Sequence, residues 1–95
     1  MNKYQRHQEL CDELNFIYQE KNKKYGDSFG KTFKEYGPSV LCIRLDDKLN
    51  RLKQLLLNGE QDTEDERISD TLKDLANYAL MAVIELEGVS QCTTV

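Results

Sequence analysis

The sequence has few residues that interrupt helices: its 95 residues include one proline and five glycines. Proline lacks the N–H donor that a helix interior uses, and glycine loses the most backbone entropy when it is ordered. So few of them predict long helices with few breaks. Hydrophobic residues make up 39% of the chain and charged residues 32%, a balance typical of a soluble helical domain and not of a disordered chain.

Other absences disfavour whole classes of protein. No run approaches the roughly 18–20 apolar residues that span a membrane, and residues 1–4 begin no signal peptide, so we expect a cytoplasmic protein without a membrane partner. The net charge of −4 argues against general nucleic-acid binding, which requires a basic excess. The three cysteines have no C-x-x-C spacing, which predicts free thiols and neither disulfides nor a zinc site.

The length predicts one domain over residues 1–95, with residues 89–95 as a flexible tail. A chain of this size buries only somewhat more than about 60% of its unfolded surface and has little room for an enclosed pocket. Ligand sites in small helical proteins therefore often form between subunits, and we expect a homo-oligomer.

Apolar residues recur at steps of three and four in four stretches, which predicts an all-α fold. We expect a small helical bundle of three long helices plus one short helix, and an oligomeric assembly. The long helices are predicted at 4–24, at 39–57 and from about Thr63 to Gly88, with a capping box at Thr63. The short helix follows Gly26, is capped by Asp27 or Ser28, and ends at Gly37.

The last helix carries two stripes. We expect its apolar face to make it the central helix of the fold. Asp70, Asp74 and Asn77 run beside that face at helical spacing, where buried carboxylates are costly unless they have partners. These three residues indicate a ligand site. The alternative is that Asp70 and Asp74 lie at a solvent-exposed end of the helix and cap it or pair with lysines. The apolar face consists of Ile68, Leu72, Leu75, Ala79, Val83 and Leu86.

The third helix has a similar arrangement. Its leucines are expected to be core, and beside them Arg44, Lys48 and Arg51 stand at i, i+4 and i+7. These cations are either ordinary surface charges paired with neighbouring acids, or a row that faces the acidic stripe and leaves donors for a phosphate. The expected core leucines are Leu41, Leu45, Leu49, Leu52 and Leu56.

Aromatic residues cluster around the short helix. Phe29, Phe33 and Tyr36 share one face and are expected in the core. The functional alternative is that Tyr25, Phe29 or Tyr36 stacks on a nucleobase, an interaction of about 1–3 kcal/mol per base.

Two strings of residues resemble a known family. Tyr25-Gly26-Asp27-Ser28-Phe29 and the run from Asp70 to Ala79 are similar to the nucleotide modification associated domain 1 family, small helical proteins common in phages and prophages. The resemblance covers roughly residues 10–87. It implies a link to nucleotide metabolism without an established reaction, and, for a phage protein, the cytoplasm of the host cell.

The last helix also resembles that of the MazG-like all-α NTP pyrophosphatases, which hold Mg²⁺ with an ExxE and an ExxD pair. Glu66 and Asp70 stand in part for the second pair, whereas the third helix offers Lys48 and Arg51 where the first pair would lie. Several oxygen ligands must converge on a catalytic Mg²⁺, so the cations favour direct binding of phosphate. If the protein is an enzyme, the resemblance implies that Glu66, Asp70 and Asp74 hold Mg²⁺.

Three functions follow from these patterns. The first is non-catalytic capture of a nucleotide or nucleotide-derived immune signal, or a role in nucleotide modification, with no cofactor. The second is a Mg²⁺-dependent nucleotide pyrophosphohydrolase, and the third is an oligomeric interaction module. The predicted ligand-binding residues are Tyr25, Asp27, Phe29, Arg44, Lys48, Arg51, Asp70, Asp74, Asn77 and Tyr78.

Overall fold

The computed structural model describes residues 2–57 and 64–88, and for residues 64–67 it describes the backbone alone. Within these ranges the fold is all-α, as predicted, with four helices and no strand. The predicted capping box at Thr63 and the predicted tail at 89–95 lie outside the described residues. The helices are α1 (Lys3–Tyr25), α2 (Ser28–Tyr36), α3 (Ser39–Leu57) and α4 (Glu64–Glu87).

The turn between α1 and α2 differs in one respect from the prediction. Gly26 ends α1 with φ +62°, a left-handed conformation that glycine adopts without steric cost. Asp27 occupies the N-cap position of α2, one of the two positions expected, but it has a positive φ of +57° and its side chain makes no capping hydrogen bond. Its carboxylate lies instead over Gly30, where an added Cβ would stand 2.6 Å from Oδ2. The Asp27 side chain therefore needs glycine at position 30.

Packing centres on α3 and α4, which make the most extensive contact between helices. Six residues join them, a length typical of antiparallel neighbours. α2 contacts both of these helices, and α1 contacts α4. Contacts between α1 and α4 include two ion pairs, Lys73 Nζ to Glu13 Oε1 at 2.9 Å and Lys21 Nζ to Asp74 Oδ1 at 3.5 Å. In addition, Asn77 Nδ2 donates to the Leu14 carbonyl at 3.2 Å.

The hydrophobic core is small. Among the described side chains, the buried hydrophobic residues are Phe29, Val40 and Ala82. The Phe29 ring lies 6.0 Å from that of Phe33 and 5.7 Å from that of Tyr78, between ring centroids. Phe29 thus joins α2 to α4 through tilted aromatic contacts, which add to the stabilisation from its burial.

α4 contacts all three other helices, as expected of a central helix, yet part of the predicted core is exposed. Leu72 is 49% exposed and Val83 51% on α4, and Leu49 is 42% exposed on α3. Helical spacing identifies an apolar face correctly, yet it cannot say whether another element covers that face. Here α1 and α2 pack on other sides of the α3–α4 pair. The face is left uncovered within the chain.

Two other sequence expectations concern surface chemistry. Within the described residues, no helix is long and apolar enough to cross a membrane. Cys11 and Cys42 are free and exposed, and Cys92 lies outside the described ranges. The homo-oligomer stays a prediction.

We expect Phe29→Ala to lower the free energy of unfolding by about 3–5 kcal/mol, because it removes the largest buried side chain and leaves a cavity. Phe16→Ala is the matched control, since Phe16 is 63% exposed, and its cost should stay within about 0.5 kcal/mol. Urea unfolding at one protein concentration measures both. Phe29→Leu provides a milder change should the alanine variant not fold, and equal losses at positions 16 and 29 would contradict the assignment of the core.

Candidate functional site

A cleft of about 280 Å³ opens where the second half of α1 and the start of α2 meet α3 and α4. A chain of this length is expected to have little room for an enclosed pocket. The cleft exists because it is an open hollow between helices and not an enclosed cavity in the small core. Its lining consists of Tyr18, Lys21, Asn22, Tyr25, Ser28, Phe29, Arg44, Asp74, Asn77, Tyr78 and Met81.

Part of the predicted site meets in this cleft. The lining includes six of the predicted ligand-binding residues, which are Tyr25, Phe29, Arg44, Asp74, Asn77 and Tyr78. Asp27, Lys48, Arg51 and Asp70 are outside the lining. Arg51 lies seven residues beyond Arg44, which moves it about 10 Å along the helix axis. Asp70 lies one turn before Asp74 and is exposed.

Asp74 is the charged centre of the cleft wall. Its Oδ2 lies 3.1 Å from Lys48 Nζ and its Oδ1 lies 3.5 Å from Lys21 Nζ. The side chains of Lys48 and Asp74 are each 30% exposed, whereas that of Lys21 is 61% exposed. Lys48 is outside the cleft lining, and its ion pair with Asp74 connects it to the cleft wall. A cation of α3 thus pairs with an acid of α4, as expected if the two polar stripes face each other.

Arg44 differs from these lysines. Arg44 lines the cleft, and among the described side chains no carboxylate lies within 4 Å of its guanidinium. A guanidinium presents five N–H donors in a planar fork that matches a phosphate or carboxylate. The cleft lining thus includes an exposed arginine without a carboxylate partner among the described side chains.

The aromatic residues of the cleft divide into two kinds. Phe29 is buried, and its ring is held against those of Phe33 and Tyr78. Tyr25 is 59% exposed and lies at the edge of the cleft. Tyr36 is outside the lining. Tyr25 is therefore the cleft aromatic best placed to offer a ring face to a ligand.

Sequence reasoning missed the contribution of α1. Tyr18, Lys21 and Asn22 share a helix face with Tyr25 and line the cleft with it. By its sequence position Tyr18 fits the apolar face of α1, and Lys21 fits the basic end of that helix, so neither predicted a site residue. The available signal was the spacing 18, 21, 22 and 25 on one face. Ser28 and Met81 gave no comparable signal.

Tyr18 has a perturbed acidity. Partial burial raises the pKa of its hydroxyl above the ordinary 10.0, and the carboxylates of Asp27 and Glu85 raise this pKa further. Burial and neighbouring negative charge both disfavour the phenolate. At neutral pH the cleft therefore holds an uncharged hydroxyl that can donate or accept a hydrogen bond.

The described acids do not form a metal site. Among residues 2–57 and 68–88, no three histidine, cysteine, aspartate or glutamate side chains are placed to share an ion. Asp74 is already neutralised by two ammonium groups, and Asp70 lies outside the cleft lining. The Glu66 side chain lies outside the described residues. The described oxygen donors thus do not fit the set of converging ligands that Mg²⁺ requires.

A known sequence profile matches most of the chain. Residues 21–86 match the domain described as nucleotide modification associated domain 1. The chain belongs to this family. The nucleotide modification associated domain 1 region contains every cleft residue except Tyr18, and it confirms the resemblance given by the strings at 25–29 and 70–79. No curated protein and no solved structure matches the chain.

We expect Tyr18→Phe to reduce the loss of stability at alkaline pH. Folded Tyr18 holds its proton more tightly than unfolded Tyr18, so the unfolded state gains by ionisation first as the pH rises through about 10. The contribution of Tyr18 to the free energy of unfolding is fully present below about pH 10 and is lost as the pH rises toward the raised pKa of folded Tyr18. Urea unfolding from pH 8 to 11 should show a shallower decline for the variant. Tyr4→Phe, at a residue 89% exposed outside the cleft, should behave as wild type.

Proposed function

We propose that this protein binds a nucleotide in the cleft and captures it without cleaving it. One observation carries the proposal: Arg44 lies in the cleft without a carboxylate partner among the described residues, while Lys21 and Lys48 are both engaged by Asp74. An arginine in such a position suits a phosphate, because its charged donors gain more from an anion than from water alone. The family's association with nucleotide modification supports the same ligand class.

The remaining cleft residues supply the other contacts that a nucleotide needs. Tyr25 presents an exposed ring for a base to stack on. Asn77 donates through Nδ2 to the Leu14 carbonyl, and this hydrogen bond orients the amide. Its Oδ1 can then accept a hydrogen bond from a ligand hydroxyl or from a base N–H. The Tyr18 hydroxyl adds a neutral donor. The volume of about 280 Å³ lies near the lower end for small-molecule pockets and suits a single nucleotide unit.

Capture fits the arrangement of charge better than hydrolysis does. Lys48 and Lys21 neutralise Asp74, the carboxylate that a bound Mg²⁺ would share with a substrate phosphate. The third possibility, an interaction module, treats the polar stripes as salt bridges between subunits, whereas Lys48 and Asp74 pair within one chain. In a phage, capture would withhold a nucleotide-derived immune signal from the host or deliver nucleotides to modification.

A panel of nucleotides tests the proposal by thermal shift, with Mg²⁺ and with EDTA. We expect stabilisation by at least one nucleotide in EDTA, since a ligand at about 100 times its Kd adds about 2.7 kcal/mol to the free energy of unfolding. Chromatography of the incubated nucleotide should show no product. Turnover that EDTA abolishes would establish the hydrolase instead, and no shift with any nucleotide would overturn nucleotide binding.

We expect Arg44→Ala to weaken nucleotide binding by about tenfold to a hundredfold, the loss typical of hydrogen bonds to a charged group. Arg51→Ala is the matched control, because it removes the same side chain from the same helix outside the cleft lining. Isothermal titration with the stabilising nucleotide gives both dissociation constants. Equal weakening by the two variants would mean that general positive charge, and not the cleft arginine, attracts the ligand.

A further inference from the structure

The two lysines that meet Asp74 are not equivalent partners. Lys48 Nζ lies 3.1 Å from Asp74 Oδ2, within the usual range of an N–H···O hydrogen bond, whereas Lys21 Nζ lies 3.5 Å from Oδ1, beyond that range. The side chain of Lys48 is 30% exposed and that of Lys21 is 61% exposed. Lys48 is therefore the closer and better shielded partner of the carboxylate, and Lys21 is held more weakly.

The two lysines also differ in position. Lys21 lines the cleft, whereas Lys48 is outside the lining. A lysine ammonium has three N–H donors at the end of a flexible side chain. Because Asp74 keeps Lys48 as a counter-charge, Lys21 can turn donors toward a ligand without leaving the carboxylate unpaired. An ion pair as exposed as that of Lys21 contributes little to stability, so its loss costs little.

A phosphate in the cleft meets negative charge as well as positive charge. The carboxylates of Asp27 and Glu85 act on Tyr18, a lining residue, and raise the pKa of its hydroxyl. The same carboxylates oppose the approach of an anion. The lining contains two cationic side chains that offset them, Lys21 and Arg44. An anion in the cleft therefore gains from contact with both.

We propose that Lys21 binds the phosphate of the nucleotide together with Arg44, and that Asp74 holds Lys21 at the cleft wall in the absence of ligand. This inference rests on the proposed nucleotide binding and adds to it a second phosphate-binding residue. Lys21 belongs to α1 and Arg44 to α3, so a phosphate bound by both cations joins these two helices. Lys48 does not touch the ligand. It keeps Asp74 neutralised when Lys21 turns to the phosphate.

Isothermal titration with AMP, GMP, CMP and UMP, and with the corresponding triphosphates, tests the role of Lys21. Lys21→Met removes the ammonium and keeps an unbranched side chain. We expect it to weaken nucleotide binding by about threefold to tenfold, because the exposure of Lys21 limits a hydrogen bond between charged groups to the lower part of its usual range. Lys21→Arg keeps the positive charge and should recover most of the affinity. Circular dichroism should show the helical content of wild type for both variants.

Lys23→Met is the matched control, because Lys23 is exposed on the same helix and lies outside the cleft lining. It should leave the dissociation constants unchanged. Binding that Arg44→Ala weakens and Lys21→Met does not would overturn the role of Lys21 and leave the proposed function intact. Equal weakening by Lys21→Met and Lys23→Met would also overturn it, since general positive charge would explain both. If the wild-type protein binds none of these nucleotides, the role of Lys21 and the proposed function are both wrong.

Discussion

The carboxylate of Asp74 joins three of the four helices through charge. One oxygen meets Lys48 of α3 and the other meets Lys21 of α1, while the backbone of Asp74 belongs to α4. Each pair is partly exposed and contributes modestly to stability, on the order of a few tenths of a kcal/mol to 1 kcal/mol. Together the two pairs link α1, α3 and α4 at the wall of the cleft, where the described hydrophobic core is small.

The same ion pairs set the charge of the cleft wall. One carboxylate meets two lysines, so these three residues keep one net positive charge, and Arg44 adds a second that has no carboxylate partner among the described side chains. An arginine beside an exposed tyrosine and a neutral hydroxyl suits an anionic ligand with an aromatic ring. A nucleotide combines both features, and the family to which the chain belongs is described by association with nucleotide modification.

The sequence was informative about local structure and less so about packing. Periodicity and glycine positions predicted the four helices, and Gly26 and Gly88 end helices as expected. The pairing of Lys48 with Asp74 agrees with one of the two alternatives for the polar stripes, in which the cations of α3 face the acids of α4. Arg51 and Asp70 share those stripes yet lie outside the cleft lining, because a stripe extends along a helix while a cleft occupies only about two turns of it. Tyr18 was missed because an amphipathic tyrosine suits a core and a binding site equally well.

By itself, the sequence determined the family, through the residues that match its profile. It also determined the all-α class and the helix faces that carry apolar or charged residues, because helical periodicity depends on residues only a few positions apart. Only the tertiary structure decided which faces are covered. It brought residues of all four helices together around a cleft and left leucines such as Leu49 and Leu72 exposed. Periodicity specifies the direction in which a side chain points from its own helix, and the position of neighbouring helices determines what it meets.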